Sequence, residues 1–168
     1  MNSKLTVKLL TVFILISMFS GTSLFAHCEI PCGIYNDQLR IELIWEHITT
    51  IEKSMNQVNT LSKEGTLNYN QLVRWVSNKE DHANELQHIV TQYFMTQRIK
   101  PAEQGDEAAH AAYLKKLEIL HGLLVNAMKA KQTTDLAHIK SLRDLTDQFV
   151  DVYFDADAKK HLIEHHKG

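Results

Sequence analysis

The sequence is poor in glycine and proline, with six glycines and two prolines in 168 residues. Because the turns of an all-β fold draw heavily on both residues, their scarcity argues against such a fold and favours helices. The chain also lacks internal repeats, low-complexity tracts and a glycine-rich phosphate loop. Apolar material is plentiful, since 44% of the residues are hydrophobic and 23% are charged. This composition and length are typical of one folded domain with a buried core, and unlike a disordered or fibrous chain.

Residues 1–26 differ in character from everything that follows. Two lysines precede the almost wholly apolar run Leu9–Phe19, and small or turn-forming residues then lead to Ala26. This order is typical of a secretory signal peptide. We therefore expect cleavage after Ala26 and an exported mature chain, either periplasmic or extracellular. The alternative is an uncleaved membrane anchor, because Leu24 stands where the cleavage pattern prefers a small residue, although the apolar run is short for a membrane span.

The charge of the chain does not indicate a nucleic-acid partner. Cleavage after Ala26 would remove two of the 18 basic residues and none of the 20 acidic ones, which leaves a formal charge of −4. A nucleic-acid-binding domain generally presents a basic face, and this balance does not suggest one. We expect no nucleic-acid partner, and no membrane contact once the signal is removed.

Hydrophobic periodicity after residue 35 predicts four helices. Apolar residues recur in steps of three and four, which places them on one face of each helix. The predicted helices cover about 37–61, 68–97, 106–131 and 134–161. We expect Asn36 to cap the first helix and Gly65 to end it in a left-handed conformation. Short connections between helices of similar length predict that residues 36–168 form an all-α, antiparallel up-down four-helix bundle.

The chain contains ten histidines, which raises the question of a metal site. Five of them are scattered along the predicted helices, without a His-Glu-x-x-His or Glu-x-x-His pairing that would build a metal centre in the bundle core: His47, His88, His110, His121 and His138. Near the C-terminus, His161, His165 and His166 could bind a divalent metal adventitiously. A frayed and solvated chain end is the simpler explanation for these three.

The residues behind the expected cleavage site carry a concentrated set of metal donors. Cleavage before His27 would bring a free α-amine, an imidazole and the thiols of Cys28 and Cys32 into one short loop. The amine and the thiols titrate at about pH 8 to 8.5, so a metal can displace their protons close to neutral pH. Binding through the amine, the Cys28 peptide nitrogen and both thiolates would place two nitrogens and two sulfurs in one plane. Such a plane favours nickel or copper over zinc, magnesium or calcium.

A small disulfide between Cys28 and Cys32 is the alternative in an oxidising compartment. The bridge would close a very short loop and restrain little of the unfolded chain. It would also leave the position of His27 unexplained. Two cysteines separated by three residues are a weak signal by themselves, so their spacing leaves both interpretations open.

The stretch His27–Tyr35, HCEIPCGIY, resembles the metal-binding hook of nickel-containing superoxide dismutases, whose pattern is H-C-x-x-P-C-G-x-Y at the mature N-terminus. All fixed positions of the pattern are matched. The resemblance continues in Arg40-Ile41-Glu42 and, more loosely, in KEDHANE from Lys79 to Glu85. It implies an enzyme that converts superoxide to oxygen and hydrogen peroxide, with residues 27–35 as the hook. It also implies a four-helix bundle that assembles as a homohexamer with the hooks held between subunits.

The resemblance implies a nickel ion as the cofactor and assigns its ligands. His27, Cys28 and Cys32 would bind the metal through the amine, the Cys28 peptide nitrogen and the two thiolates. The His27 imidazole would be the axial ligand when the nickel is oxidised. The implied reaction alternates the metal between Ni(II) and Ni(III).

Three further residues receive catalytic roles from the same resemblance: Tyr35, Glu42 and His82. Glu42 would hold the imidazole of His27 by a hydrogen bond, and His82 would be the partner of Glu42. Tyr35 would guard the mouth through which superoxide and water approach.

The competing function is an exported copper- or nickel-binding carrier that uses the same hook without turnover. Tyr35 and Glu42 favour the enzyme, because a carrier needs ligands but no groups that handle protons or orient an imidazole. Superoxide is an anion, whereas the mature chain has a negative formal charge. We therefore also expect a local basic rim around the site, with Arg40 and Lys79 as its members.

Overall fold

The computed structural model describes residues 35–166, with side chains described as far as residue 162. Within this range the chain is helical and contains no strand. The elements are α1 (Asp37–Leu61), α2 (Tyr69–His88) continued directly by a π-helix (Ile89–Arg98), α3 (Glu107–Gln132), α4 (Ala137–Tyr153) and α5 (Ala156–His166). The expected all-α fold is confirmed here, while the predicted signal peptide and hook residues 27–34 lie outside the described residues. None of the described helices is long and apolar enough to span a membrane.

Local sequence signals account for the start of α1. Asn36 Oδ1 accepts a hydrogen bond from the Leu39 amide at 2.9 Å, which satisfies one of the unpaired donors of the first turn. The prediction of Asn36 as the N-cap is confirmed. The prediction for Gly65 is wrong, because α1 closes at Ser62, whose amide bonds back into the last turn. The described glycine with a positive φ, at 96°, is Gly105 in the loop before α3.

Neighbouring helices run antiparallel. Helix α1 packs on α2 and α4, and α3 also packs on α2 and α4. At one end of the bundle, Asp37 at the start of α1 contacts Arg98 and Tyr153, which end the π-helix and α4. At the other end, Asn59 bonds to Thr134 just before α4. The start of α1, directly behind the hook, therefore lies beside the ends of two other elements.

The core is formed by one apolar face of each helix, as the periodicity predicts. Its largest fully buried side chains come from all four long helices: Ile41, Ile44, Ile48, Ile51, Met55, Leu86, Phe94, Ile119, Leu120, Leu123, Leu142 and Phe149. Phe94 and Phe149 meet edge to face with ring centroids 4.9 Å apart. Burial of each side chain of this size stabilises the fold by about 1.5–3 kcal/mol. The core therefore holds the ends of the π-helix and α4 firmly next to α1.

The C-terminal part of the chain departs from the prediction. Helices α4 and α5 stand in place of the single helix expected over 134–161. Asp155 accounts for the break, because its Oδ1 accepts a hydrogen bond from the Ala158 amide at 2.9 Å and so starts a new helix. Helix α5 packs on α1 and buries Leu162. Its backbone is helical through His166, so the expectation of a frayed end is wrong over this range.

Candidate functional site

The three predicted nickel ligands, His27, Cys28 and Cys32, lie outside the residues that the structure describes. Tyr35, the last residue of the hook pattern, is the first described residue. It stands two positions before the start of α1. The contacts of Tyr35 therefore show which residues of the bundle lie next to the last residue of the hook pattern.

Tyr35 lies against an arginine and a second tyrosine. The Arg98 guanidinium carbon is 4.3 Å from the centroid of the Tyr35 ring, a distance typical of a cation–π contact. The Tyr93 ring meets Tyr35 edge to face, with the two centroids 6.0 Å apart. Tyr35 is still 41% exposed. Its ring is thus held by two neighbours while it remains accessible to small molecules in solution.

Asp37, in the first turn of α1, accepts hydrogen bonds from the π-helix and from α4. Arg98 binds it with two nitrogens, Nη2 at 2.7 Å from Oδ2 and Nε at 2.9 Å from Oδ1. The hydroxyl of Tyr93 donates to Oδ1 at 2.6 Å, and that of Tyr153 donates to Oδ2 at 2.8 Å. Hydrogen bonds to a carboxylate from a forked arginine and hydroxyls are among the strongest in proteins. We call Asp37, Tyr93, Arg98 and Tyr153 the Asp37 cluster.

The protonation of the Asp37 cluster is fixed around neutral pH. Burial opposes the charge of Asp37, but the hydrogen bonds from Arg98, Tyr93 and Tyr153 outweigh it and hold the carboxyl pKa below its ordinary value. Burial and the hydrogen bond to Asp37 raise the pKa of Tyr93, and they raise the pKa of Tyr153 to about 12. Both phenols therefore keep their protons at neutral pH. The cluster acts as a fixed scaffold and not as a source of protons.

The π-helix explains how one element supplies both Tyr93 and Arg98. Backbone bonds in a π-helix run from i to i+5, so residues five apart lie on one side, whereas in an α-helix residues three or four apart do so. Tyr93 and Arg98 are five apart and reach the same carboxylate. The Thr96 hydroxyl likewise donates to the carbonyl of Thr91, five residues earlier, at 2.8 Å. Segments of π-helix are frequent at functional sites.

A second arginine contacts the tyrosine pair. The Arg40 guanidinium carbon lies 5.0 Å from the centroid of the Tyr93 ring. Its Nε is buried and has no hydrogen-bond partner within the described part of the chain. The charge of Arg98 is balanced by Asp37, whereas Arg40 forms no ion pair among the described residues. The surroundings of Tyr35 and Tyr93 are therefore locally positive, which suits the attraction of a small anion.

Lys79 does not belong to this region, and its prediction as a rim residue is wrong. It is only 4% exposed. Its Nζ donates to the carbonyl of Lys131 at 2.5 Å and to that of Thr133 at 3.2 Å. Unpaired carbonyls at a helix end attract cations, so this lysine serves to close α3.

Glu42 and His82 are both half-buried, but no hydrogen bond joins them. Glu42 makes no hydrogen bond or ion pair with any other described residue. His82 Nδ1 instead lies 2.8 Å from Nδ1 of His47 on α1. The expected pairing of Glu42 with His82 is therefore absent from the described part of the chain, and the catalytic roles of both residues stay predictions.

The position of His47 between α1 and α2 favours the neutral form of its ring. Burial, followed by the positive charge that His82 can carry, lowers the pKa of His47, although Glu46 and Glu85 act in the opposite direction. In a bond between two Nδ1 atoms one ring donates its proton and the other accepts it. Protonation of both rings would break that bond, so acid should disrupt the pair.

The described helices contain three Glu-x-x-His spacings: Glu85 with His88, Glu107 with His110, and Glu118 with His121. In helical metal centres such residues project into the bundle interior. Here all six are exposed. Within the described range, no group of three or more His, Cys, Asp or Glu side chains is arranged to hold a metal ion.

Sequence reasoning missed most of the residues around Tyr35. The partners of Asp37 lie 56, 61 and 116 positions away in the chain, and none of them belongs to a recognisable motif. Tyr93 lies in step with the apolar stripe of its helix, so the sequence gives no sign of its contacts with Tyr35 and Asp37. The ten-residue π-helix has no signal in hydrophobic periodicity.

Comparison with known proteins gives one match. A family model described as nickel-containing superoxide dismutase matches residues 22–157, which includes the hook and most of the described helices. No curated protein and no solved structure matches the chain.

Proposed function

Because the chain belongs to the family of nickel-containing superoxide dismutases, we propose that its mature form begins at His27 and disproportionates superoxide at a nickel ion held by the hook. The family makes the protein an oxidoreductase with a nickel cofactor. Two superoxide anions and two protons yield one molecule of oxygen and one of hydrogen peroxide. The observation that carries the proposal is the complete hook pattern inside the matched range.

The donor set of the hook fits nickel. His27 would offer its amine and imidazole, Cys28 its peptide nitrogen and thiolate, and Cys32 a second thiolate. Strong sulfur and nitrogen donors of this type suit nickel better than metals that prefer oxygen. When bound, the nickel supplies one-electron chemistry, because thiolate and deprotonated amide donors make its trivalent state accessible.

The described residues support an enzyme at the end of the hook. Tyr35 is accessible and held in place by Arg98 and Tyr93, as suits a residue that screens small molecules. Arg40, which forms no ion pair among the described residues, would attract superoxide locally despite the negative formal charge of the mature chain. Glu42 has no partner among the described residues, so its carboxylate is available to orient the His27 imidazole by a hydrogen bond.

His82 enters the proposal together with His47. The two rings share a hydrogen bond. This bond, and not a contact between His82 and Glu42, connects α2 to this stretch of α1. His47 lies five residues after Glu42 on the same helix. We infer that His82 supports the site through the position of α1.

We further infer that the protein is exported and assembles as a homohexamer with the hooks between subunits. An exposed apolar stripe on α2 supports assembly: Tyr69, Val73 and Val76 are 71%, 64% and 41% exposed. Their spacing of four and three residues places them on one helix face. Contiguous apolar surface of this kind is typical of a protein interface.

The proposed function is tested on the exported protein. We expect mass spectrometry to find His27 as the first residue, metal analysis to find one nickel per chain, and the protein to dismutate superoxide. A His27→Ala variant should lose the dismutation rate. Copper in place of nickel, or a rate unchanged by the substitution, would contradict the proposal. Bound nickel without turnover would instead identify a metal carrier.

A further inference from the structure

Tyr35 contacts the guanidinium of Arg98, and the position of Arg98 is fixed in turn by its hydrogen bonds to Asp37. We propose that Arg98 is a positioning residue for Tyr35, and that the Asp37 cluster sets where the end of the hook stands on the bundle. The inference rests on the proposed function, in which Tyr35 guards the approach to the metal. It adds to that function a positioning role for residues that lie outside the hook pattern.

The geometry of Arg98 fixes the plane that it presents to Tyr35. A guanidinium is flat, and its two bonds to the Asp37 carboxylate, at 2.7 and 2.9 Å, hold the group in one orientation. The same group lies 4.3 Å from the Tyr35 ring centroid. A lysine could keep the charge at this position but could not offer a flat surface held by two bonds.

The second contact of Tyr35 depends on the same carboxylate. Tyr93 meets the Tyr35 ring edge to face and also donates its hydroxyl to Asp37 at 2.6 Å. Tyr153 on α4 donates to the other carboxylate oxygen. Both neighbours of Tyr35 are therefore anchored at one point, which joins α1, the π-helix and α4.

The anchor is strong enough to set the position of an otherwise exposed ring. The Asp37 and Arg98 side chains are only 16% and 29% exposed, so solvent weakens their bond less than it weakens a surface ion pair. Tyr35, in contrast, makes no hydrogen bond of its own within the described residues. Among the described residues, the contacts that hold it against the bundle are the two ring contacts. A displaced ring at the mouth of a small-molecule site would slow the reaction without changing the metal ligands.

The test uses Arg98→Gln and Arg98→Lys in the mature chain, with Arg143→Gln as the matched control. Arg143 pairs with Glu52 at 2.6 Å, is about equally exposed, and lies outside the Asp37 cluster. Fluorotyrosine replaces the five tyrosines, and ¹⁹F NMR of the metal-free protein reports on the Tyr35 ring. The Tyr35 signal is assigned by its loss in Tyr35→Phe. Dismutation rate and nickel content are measured on the nickel-loaded proteins.

We expect both Arg98 variants to shift or broaden the Tyr35 signal and to lower kcat/KM about tenfold at unchanged nickel content, whereas Arg143→Gln changes none of these.

An unmoved Tyr35 signal in Arg98→Gln would overturn the positioning role. A moved signal with an unchanged rate would also overturn it, since the contact would then be structural only. A wild-type Tyr35 signal and a wild-type kcat/KM in Arg98→Lys would overturn the role of the flat guanidinium, because the positive charge alone would then be sufficient. An inactive wild-type protein would count against the proposed function, while the NMR signal would still test the contact.

Discussion

At the scale of single residues, Asp37 joins more side-chain hydrogen bonds than any other described residue close to Tyr35. It accepts bonds from Arg98, Tyr93 and Tyr153, yet it stands outside the pattern that identifies the family. Sequence reasoning found the neighbouring Tyr35 because the hook pattern ends there. It could not find Asp37, because its importance arises from partners brought together only by the fold.

Asp37→Asn should destabilise the mature protein by about 2 kcal/mol, since hydrogen bonds to a charged group contribute about 1.5–3 kcal/mol and this site is partly exposed. Asparagine leaves Arg98 without a counter-charge. Urea unfolding at pH 7 measures the loss. Asp144→Asn is the control, because Asp144 pairs with Lys140 in an exposed i, i+4 bridge and should cost less than about 0.5 kcal/mol. Equal losses in the two variants would contradict the structural role of Asp37.

The charge of Asp37 also predicts how the unfolding free energy of the protein changes in acid. The pKa of Asp37 is lower in the folded protein than its ordinary value, so the stability it contributes is complete above about pH 4 and is lost as the pH falls through the folded pKa. The difference in unfolding free energy between the wild-type protein and Asp37→Asn should therefore shrink below about pH 4. Urea unfolding at several pH values measures it. A difference that stays constant down to pH 2 would show that the carboxylate charge is unimportant.

At the scale of helices, sequence periodicity predicted most of what the structure shows. The first helix was expected over 37–61 and is Asp37–Leu61, and the third was expected over 106–131 and is Glu107–Gln132. These predictions succeed because one apolar face per helix is enough to define both its type and its extent. The break at Asp155 was missed because apolar residues continue in step on both sides of it.

The π-helix and the histidine pair could not be predicted in the same way. Hydrophobic periodicity reflects only which residues are apolar. A π-helix differs from an α-helix in its backbone hydrogen bonds, which connect residues five apart and not four apart. The bond between His47 and His82 depends on how α1 and α2 pack, since the two are 35 positions apart. The KEDHANE resemblance pointed to Glu42 as the partner of His82, and the packing gives His47.

The contact between α1 and α2 should weaken in mild acid. Burial and His82 lower the pKa of His47, so the neutral ring stabilises the fold above its ordinary pKa of about 6.5, and this stability is lost as the pH falls through the lower folded value. NMR titration should give His47 a pKa below about 6.5 that rises in His82→Gln. The exposed His110, replaced by Gln, is the control and should leave His47 unchanged. A His47 pKa that His82→Gln does not alter would contradict the pairing.

At the scale of the whole molecule, the apolar stripe on α2 gives a direct test of assembly. We expect Val73→Lys to dissociate the proposed hexamer, because it places a charge in the middle of Tyr69, Val73 and Val76. Sedimentation velocity measures the mass of the assembly. Leu114→Lys is the matched control, since Leu114 is also an exposed apolar residue, at 49%, but lies on α3. A hexamer that survives Val73→Lys would exclude this stripe as the interface.

The cut after Ala26 would link the export of the protein to its activity. Cleavage after Ala26 would free the His27 amine, which is one of the proposed nickel ligands, so the uncleaved chain should be inactive. The core of the described residues and the Asp37 cluster lie within residues 37–162, so we expect these helices to form with or without the cut. Processing should therefore change the metal site and leave the fold as it is.

The most direct test compares two folded chains that differ by one residue, one beginning at His27 and the other at Ala26. Both carry every ligand side chain, but only the first has its free amine on His27. We predict that the chain beginning at His27 dismutates superoxide in the presence of nickel, and that the chain beginning at Ala26 does not, although circular dichroism shows the same helix content. Equal dismutation rates per chain would contradict the central claim that the cut creates the metal site.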